Sequence, residues 1–298
     1  MVNSASSSFL SATDIEAMYA QTPTPTETLS VVEKSMGGFH ELLEKDKTKN
    51  SNWRLAEENC PEECSDDFKL IFLRCEVFEV ELAVKRYIKY WDNRIETFGI
   101  DKGFLPIINS DGSPGGAMKD DLEAIDFGYF RMAPPGMCED PDGRAICFLN
   151  ASVLDEEFII GAQGMVRASW YAIHLGLQSE SAQRKGIVII AKAPKRLAKA
   201  LSKSPGKLLA ASIQGAVPVR MAALHILDPP PAVSILTKFV RMVLGKKVKK
   251  RIYVHECNSL EKRMEALSKY GICREQLPRA VGGDFDFDEK SWKILAAK

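Results

Sequence analysis

Cations cluster at Lys246, Lys247, Lys249, Lys250 and Arg251, directly behind an apolar helical stripe. The stripe is Ala232, Ile235, Leu236, Phe239, Val240 and Val243, at i, i+3, i+4, i+7, i+8 and i+11, the spacing of one helix face. A run of prolines, Pro229 to Pro231, precedes it and Gly245 follows it, so both ends have hinge points. A movable apolar face ending in cations is suited to covering a hydrophobic ligand and touching an anionic membrane. Each Lys or Arg beside an anionic leaflet contributes about 1 kcal/mol of attraction, weakened by salt.

Covalent chemistry finds no comparable constellation. There is no GxSxG elbow, no GxGxxG after a strand, no Walker loop and no HExxH, so the chain does not read as an enzyme. His40, His174, His225 and His255 stand apart in the sequence, and His225 and His255 fall in strand patterns as core or edge residues. Cys60 and Cys64 form a lone CPEEC without the second ligand pair that a tetrahedral zinc site needs, so no metal is expected. The 7 cysteines are odd in number and scattered, which suits a reduced cytosolic chain.

Lys plus Arg and Asp plus Glu balance at 40 each, which argues against a nucleic-acid partner. Charge is nevertheless uneven: residues 57–81 are acidic, while 184–207 and 238–251 are basic. No run approaches the ~20 apolar residues of a membrane span. The N-terminus lacks a signal pattern, with Val2 where myristoylation needs glycine. The expected location is therefore cytoplasmic, with peripheral membrane contact. Nothing in the sequence sets the oligomeric state.

The elements that must position these groups follow from periodicity. With 298 residues and 45% apolar content, the chain can bury one main domain with a helical part before it. Residues 1–30, with QTPTPTET, read as a tail that is flexible or packed only locally. Residues 31–100 read as a helical subdomain: LSVVEKSMGGFHELLEK, which begins just before it, then DDFKLIFLRCEVF, then VELAVKRYIKYWDNRIETFG with a closing glycine. Residues 101–288 form the main domain and 289–298 a C-terminal tail.

The segment 100–141 is loop-rich, and a Pro-Asp-Gly turn delivers Arg144 into the strand pattern AICFLNASV. Next come a long helix in DEEFIIGAQGMVRASWYAIHLGL, the β-branched run GIVIIAK, helices within APKRLAKALSKSPGKLLAASIQGA, the strand MAALHILD, the 232–244 helix and the strand RIYVHE. Strands alternating with helices make an α/β domain with a mostly parallel sheet.

Several segments, in order, carry a resemblance: FLRCEVFEVELAVKRYIKYW (72–91), DPDGRAICFL (140–149), GIVIIAK (186–192), the stretch from Pro218 to Glu256, and LPRAVGGD (277–284). Together they are similar to the CRAL-TRIO lipid-binding family, collinearly over about 66–284. The resemblance implies a small helical N-terminal subdomain and a lipid-binding domain whose sheet floors an apolar pocket, with the 232–244 helix as lid. It implies one bound hydrophobic lipid and no cofactor.

Side chains alternate along a strand, so Phe148 and Asn150, or alternatively Cys147 and Leu149, face that ligand. By resemblance, Ser169 and Ile173 join them from the long helix, with Ile187 and Ile189 or Ala191 from GIVIIAK and Met221 and Leu224 before LDPP. The lid adds Phe239, Val240, Met242 and Val243. Arg220, Lys247 and Arg251 keep cations where one branch of the family meets an inositol phosphate, and Lys250 extends the patch.

Some positions depart from the family pattern. Glu76 replaces the second arginine of an FLRAR-like element, Val219 replaces an acid of the phosphatidylinositol-transferring branch, and Val248 replaces a hydroxyl residue. An enclosed phosphatidylinositol is thereby disfavoured. The function implied is binding of one lipid under a movable helix and its transfer or presentation at anionic membranes. The alternative is a membrane-recruited, lipid-sensing adaptor without transfer.

Overall fold

The computed structural model describes residues 15, 18, 19, 21–46, 48, 51–133, 136–155, 160–193, 205–229, 250–257 and 259–285. The expected lid helix 232–244, with Phe239, Val240, Met242 and Val243, lies outside these residues, as do Lys247 and the tail 289–298.

The N-terminal helices begin where side chains satisfy the free N–H groups of a first turn. Helix α1 (Leu29–Lys45) starts at Thr28, whose Oγ1 accepts from Val31 N–H at 3.3 Å. Helix α2 (Asn52–Asn59) was not legible from periodicity; a 3-10 turn, Pro61–Cys64, links it to α3 (Asp66–Cys75). Ser65 caps α3 through Phe68 N–H at 3.3 Å, with Asp66 and Asp67 in the first turn beside the positive end of the helix dipole.

Helix α3 stops before its sequence pattern does, because Val77 and Phe78 adopt left-handed backbone at φ 57° and 63°. Phe78 N–H there returns to Leu73 O at 2.7 Å, closing the helix end. Helix α4 (Val80–Phe98) runs to Gly99, whose φ of 79° favours a residue without Cβ, and α5 (Ile100–Gly103) follows. Phe72 meets Tyr87 edge-to-face at 5.2 Å, and Tyr90 meets Trp91 likewise at 5.3 Å, which packs α3 on α4 and orders the α4 surface.

The segment read as loop-rich also contains a short helix, α6 (Leu122–Phe127), and a strand, β1 (Phe130–Met132). Three residues carry no alternation to detect, so β1 is defined only by its neighbour. The other strands fall where the apolar runs placed them: β2 (Ala145–Asn150), β3 (Ile187–Lys192), β4 (Met221–Leu227) and β5 (Ile252–His255). Their order in space is β1-β2-β3-β4-β5; β1 is antiparallel to β2 and every other pairing is parallel.

Helix α7 (Ala162–Gly176) begins after Gly161, whose backbone is extended at ψ 154°. Short α8 (Glu180–Lys185), α9 (Pro205–Ile213) and α10 (Leu260–Ser268) follow along the chain. Gly176 brings α7 onto the β1 edge: a Cβ there would stand 2.0 Å from Met132 Sδ.

The segment read as a flexible or locally packed tail is anchored at several of its described residues. Ile15 and Tyr19 are fully buried. Gln21 accepts from Arg144 Nε at 2.8 Å and donates to Lys185 O at 3.0 Å. Glu27 is held by Arg74 at 2.6 Å and Arg184 at 3.1 Å. Composition does not reveal such anchors, because Arg144, Lys185 and Arg184 lie more than a hundred residues from their partners and Arg74 lies 47 from Glu27.

Candidate functional site

Side chains on paired residues of adjacent strands point to the same face, so the register sorts the sheet into two surfaces. Cys147 pairs with Ile189 and Ile189 with Leu224, while Leu149 pairs with Ala191 and Ala191 with Ile226. Leu224 and Ile226 in turn pair with Ile252 and Val254 on β5. Ala191, Leu224 and Ile226 are buried in a second apolar cluster beside the main core; Leu149, Ile189, Met221, Ile252 and Val254 pack against it half-buried, and Leu149 and Ile189 touch the main core as well. Met132, which pairs with Cys147, shares this face, so α7 borders it at the β1 end.

A β-bulge explains how Met221 and Leu224, three residues apart, join one surface. The partner of Ile187 is Met221 but the partner of Val188 is Ala223, so Ala222 is the extra residue and the alternation slips by one. Without that slip, Met221 and Leu224 would point to opposite faces.

Ile189, Ala191, Met221 and Leu224 are thus brought together. Phe148 and Asn150 are not: they pair with Ile190 and Lys192 on the reverse face, where Phe148 belongs to the main core. Of the two alternatives left open by alternation, Cys147 and Leu149 are the pair sharing the surface of Ile189 and Ala191. Asn150 Oδ1 accepts from Ser152 at 2.6 Å. Ile187 is on the apolar face by alternation but is 2% exposed within the main core. Ser169 and Ile173 are buried along α7, and the Ser169 hydroxyl donates to Met165 O at 2.8 Å within its own helix.

The reverse face is apolar across β2 and β3 and turns aromatic and polar at β4 and β5. His225 and His255, distant in sequence, pair at 2.9 Å between Nδ1 and Nε2, and Tyr19 reaches His225 Nε2 at 3.1 Å. Tyr253 stacks on His225 with ring centroids 5.1 Å apart. Burial holds both imidazoles below their usual pKa, with the neighbouring His255 adding to the effect at His225. Tyr19 from the N-terminal segment thereby closes the back of the sheet. Sequence spacing held no signal for this cluster beyond the strand positions of His225 and His255.

His174 belongs to another buried network. Its Nδ1–H donates to Trp170 O at 2.7 Å, which leaves Nε2 to accept from Tyr90 at 2.9 Å, and Tyr90 accepts from Arg94 at 3.0 Å. Burial lowers the His174 pKa to about 4. Among the described residues, no group of His, Cys, Asp and Glu could hold a metal ion.

The expected membrane cations divide. Lys250 is exposed. Arg251 is half-buried and donates to Met221 O at 3.0 Å; burial lowers its pKa. Arg220 turns toward the N-terminal segment, donating through Nη1 to Thr24 Oγ1 and Arg184 O at 2.8 Å each and through Nη2 to Thr22 O at 2.9 Å. Glu76, the departure from the family's arginine, pairs with Arg86, which also donates to Val217 O at 2.9 Å.

The fold, a mainly parallel sheet preceded by packed helices, is that of the crystal structure of Sfh5, which aligns with a TM-score of 0.53 at 10% identity, covering 91% of this chain and 96% of that one. Residues 136–283 match the model of the CRAL/TRIO domain, and the chain is a member of the CRAL-TRIO family. Alpha-tocopherol transfer protein-like of Mus musculus is 26% identical over 237 residues, and its Homo sapiens counterpart 24% identical over the same length. Each alignment covers 77% of this chain and 62% of the relative, so the chain spans under two thirds of these curated relatives.

Proposed function

We propose that the chain binds one hydrophobic lipid against the apolar face of its sheet, beneath the 232–244 helix, and transfers or presents it at anionic membranes. The observation that carries this reading is the second apolar cluster, built on Ala191, Leu224 and Ile226 beside the main core. Apolar surface that lies beside a folding core is the kind that a hydrophobic ligand can complete. Covering one Leu- or Ile-sized side chain contributes roughly 1.5–3 kcal/mol, and a lipid tail lying along Leu149, Ile189, Leu224 and Ile252 would collect several such contacts.

On this reading no covalent step and no cofactor are involved. Binding rests on apolar burial, while Lys247, Lys250 and Arg251 bring the protein to acidic headgroups. Exchange follows when the helix opens at the membrane.

A second reading, a membrane-recruited sensor that does not move lipid, is favoured by Arg220, whose guanidinium holds the N-terminal segment. Vesicle assays separate the two. A transfer protein speeds movement of a labelled lipid from donor to acceptor vesicles containing phosphatidylserine; a sensor sediments with those vesicles and leaves the transfer rate at its background. Neither transfer nor lipid-dependent sedimentation would refute both.

A further inference from the structure

The motif QTPTPTET, which the fold converts from a tail into an anchored strap, is unused by the proposed function. Thr22 and Thr24 each precede proline, which biases them to extended backbone, and the described residues 21–28 carry no helix or strand. Thr22, Pro23, Pro25 and Thr26 are exposed, and Thr24 is half-buried. An extended, largely exposed Thr-Pro segment is the shape that proline-directed kinases accept.

Thr24 differs from its neighbours in what its hydroxyl touches. Its Oγ1 accepts from Arg220 Nη1 at 2.8 Å. Arg184, whose carbonyl shares the same Nη1, pairs with Glu27 and Glu180, and Arg74 pairs with both acids as well. Arg74 and Arg184 thus bracket Glu27 at the end of the strap, and Arg220 is the guanidinium that the Thr24 hydroxyl touches.

We infer that Thr24 is a phosphorylation site and that its phosphate locks the strap onto Arg220. In the modification, the Thr24 hydroxyl oxygen attacks the γ-phosphorus of ATP. A new P–O bond forms, the bond to the β,γ-bridging oxygen breaks, ADP departs, and the hydroxyl proton passes to the kinase's base; nothing is oxidised or reduced. The hydroxyl comes within a kinase's reach once the strap lifts and its bond to Arg220 opens. When the strap returns, a near-dianion replaces a neutral acceptor beside a planar guanidinium, the pairing that forms short charge-assisted hydrogen bonds. The modification thus converts a reversible contact into a clasp between the N-terminal segment and the start of β4.

The test uses the full chain with ATP and a cyclin-dependent or a mitogen-activated kinase, and maps the phosphate by mass spectrometry. Thr24 is expected to be modified, with incorporation there lost in Thr24→Val and kept in Thr22→Val. In protein carrying genetically encoded phosphothreonine at position 24, amide exchange at Thr26, Glu27 and Thr28 should slow about tenfold, the factor one charge-assisted hydrogen bond supplies. That slowing should vanish in Arg220→Gln. Arg220→Lys, which keeps the charge without the fork, is the fallback if Arg220→Gln does not fold, and should show a reduced slowing. Phosphate absent from Thr24 with both kinases, or exchange unchanged or faster once it is present, would overturn the inference.

Discussion

Removing the Asp140 carboxylate should destabilise the chain more than loss of any exposed ion pair. Asp140 and Arg144 side chains are both fully buried and meet at 2.9 Å. The other Asp140 oxygen accepts the N–H of Asp142 at 3.0 Å and of Arg144 at 2.9 Å, which fixes the Pro-Asp-Gly turn. Arg144 is further held by Asp142 at 2.5 Å and by Gln21, and its guanidinium lies 5.2 Å from the Tyr19 ring centroid. In Asp140→Ala the buried guanidinium keeps only part of its compensation and two N–H groups lose their acceptor.

Breaking one side of a buried pair costs about 3–5 kcal/mol. At roughly 2–4 °C per kcal/mol for chains of this order of size, Tm should fall by about 10 °C. Asp140→Asn, which keeps an acceptor for the N–H groups, should lose about half as much. Because Asp142 has a second partner in Lys185 at 3.0 Å, adding Arg144→Met to Asp140→Ala should recover stability by removing the orphaned charge. Urea unfolding followed by circular dichroism measures all of these. A loss under about 1 kcal/mol for Asp140→Ala, or a double variant less stable than the single one, would refute the reasoning.

Other expectations follow from the same contacts. The folded chain refuses at His174 a proton that the unfolded chain takes up between its usual pKa of 6.5 and about 4, so stability is complete above that window and is lost as pH falls through it. The loss approaches about 3 kcal/mol by pH 4, and unfolding curves of His174→Gln should show a correspondingly flatter dependence from pH 7 to 4.5. Glu76→Arg, which restores the family's cation, sets two guanidinium groups together where Glu76 now holds Arg86, and should lower stability by about 1–3 kcal/mol in the same urea assay. Leu224→Asn should weaken lipid retention about 10- to 100-fold, whereas Phe148→Leu, on the reverse face, should lower stability while leaving retention within about twofold, as read by extraction of bound lipid.

Runs with strong local signals were legible in the sequence. The β-branched GIVIIAK became a central strand, and the glycine after RIETF ended α4 at the expected place. Face assignment was not legible: alternation leaves two registers for β2, and the bulge at Ala222 moves Met221 relative to Leu224 in a way that no spacing rule encodes. The strands were therefore legible before the faces that their side chains take. Contacts across long sequence separations stayed hidden for the same reason. Tyr19 on His225 and Thr24 on Arg220 depend on where two distant segments meet, and no local pattern names the partner.

The measurement that bears most directly on a lipid held against the sheet is native mass spectrometry of the purified chain, with organic extraction to identify what departs from it. One hydrophobic molecule per chain is expected, carried from expression or taken up from offered lipids, and lost in Leu224→Asn. A folded chain that carries none and takes up no phospholipid, sterol, tocopherol or retinoid would contradict it, and would return Ala191, Leu224 and Ile226 to ordinary packing.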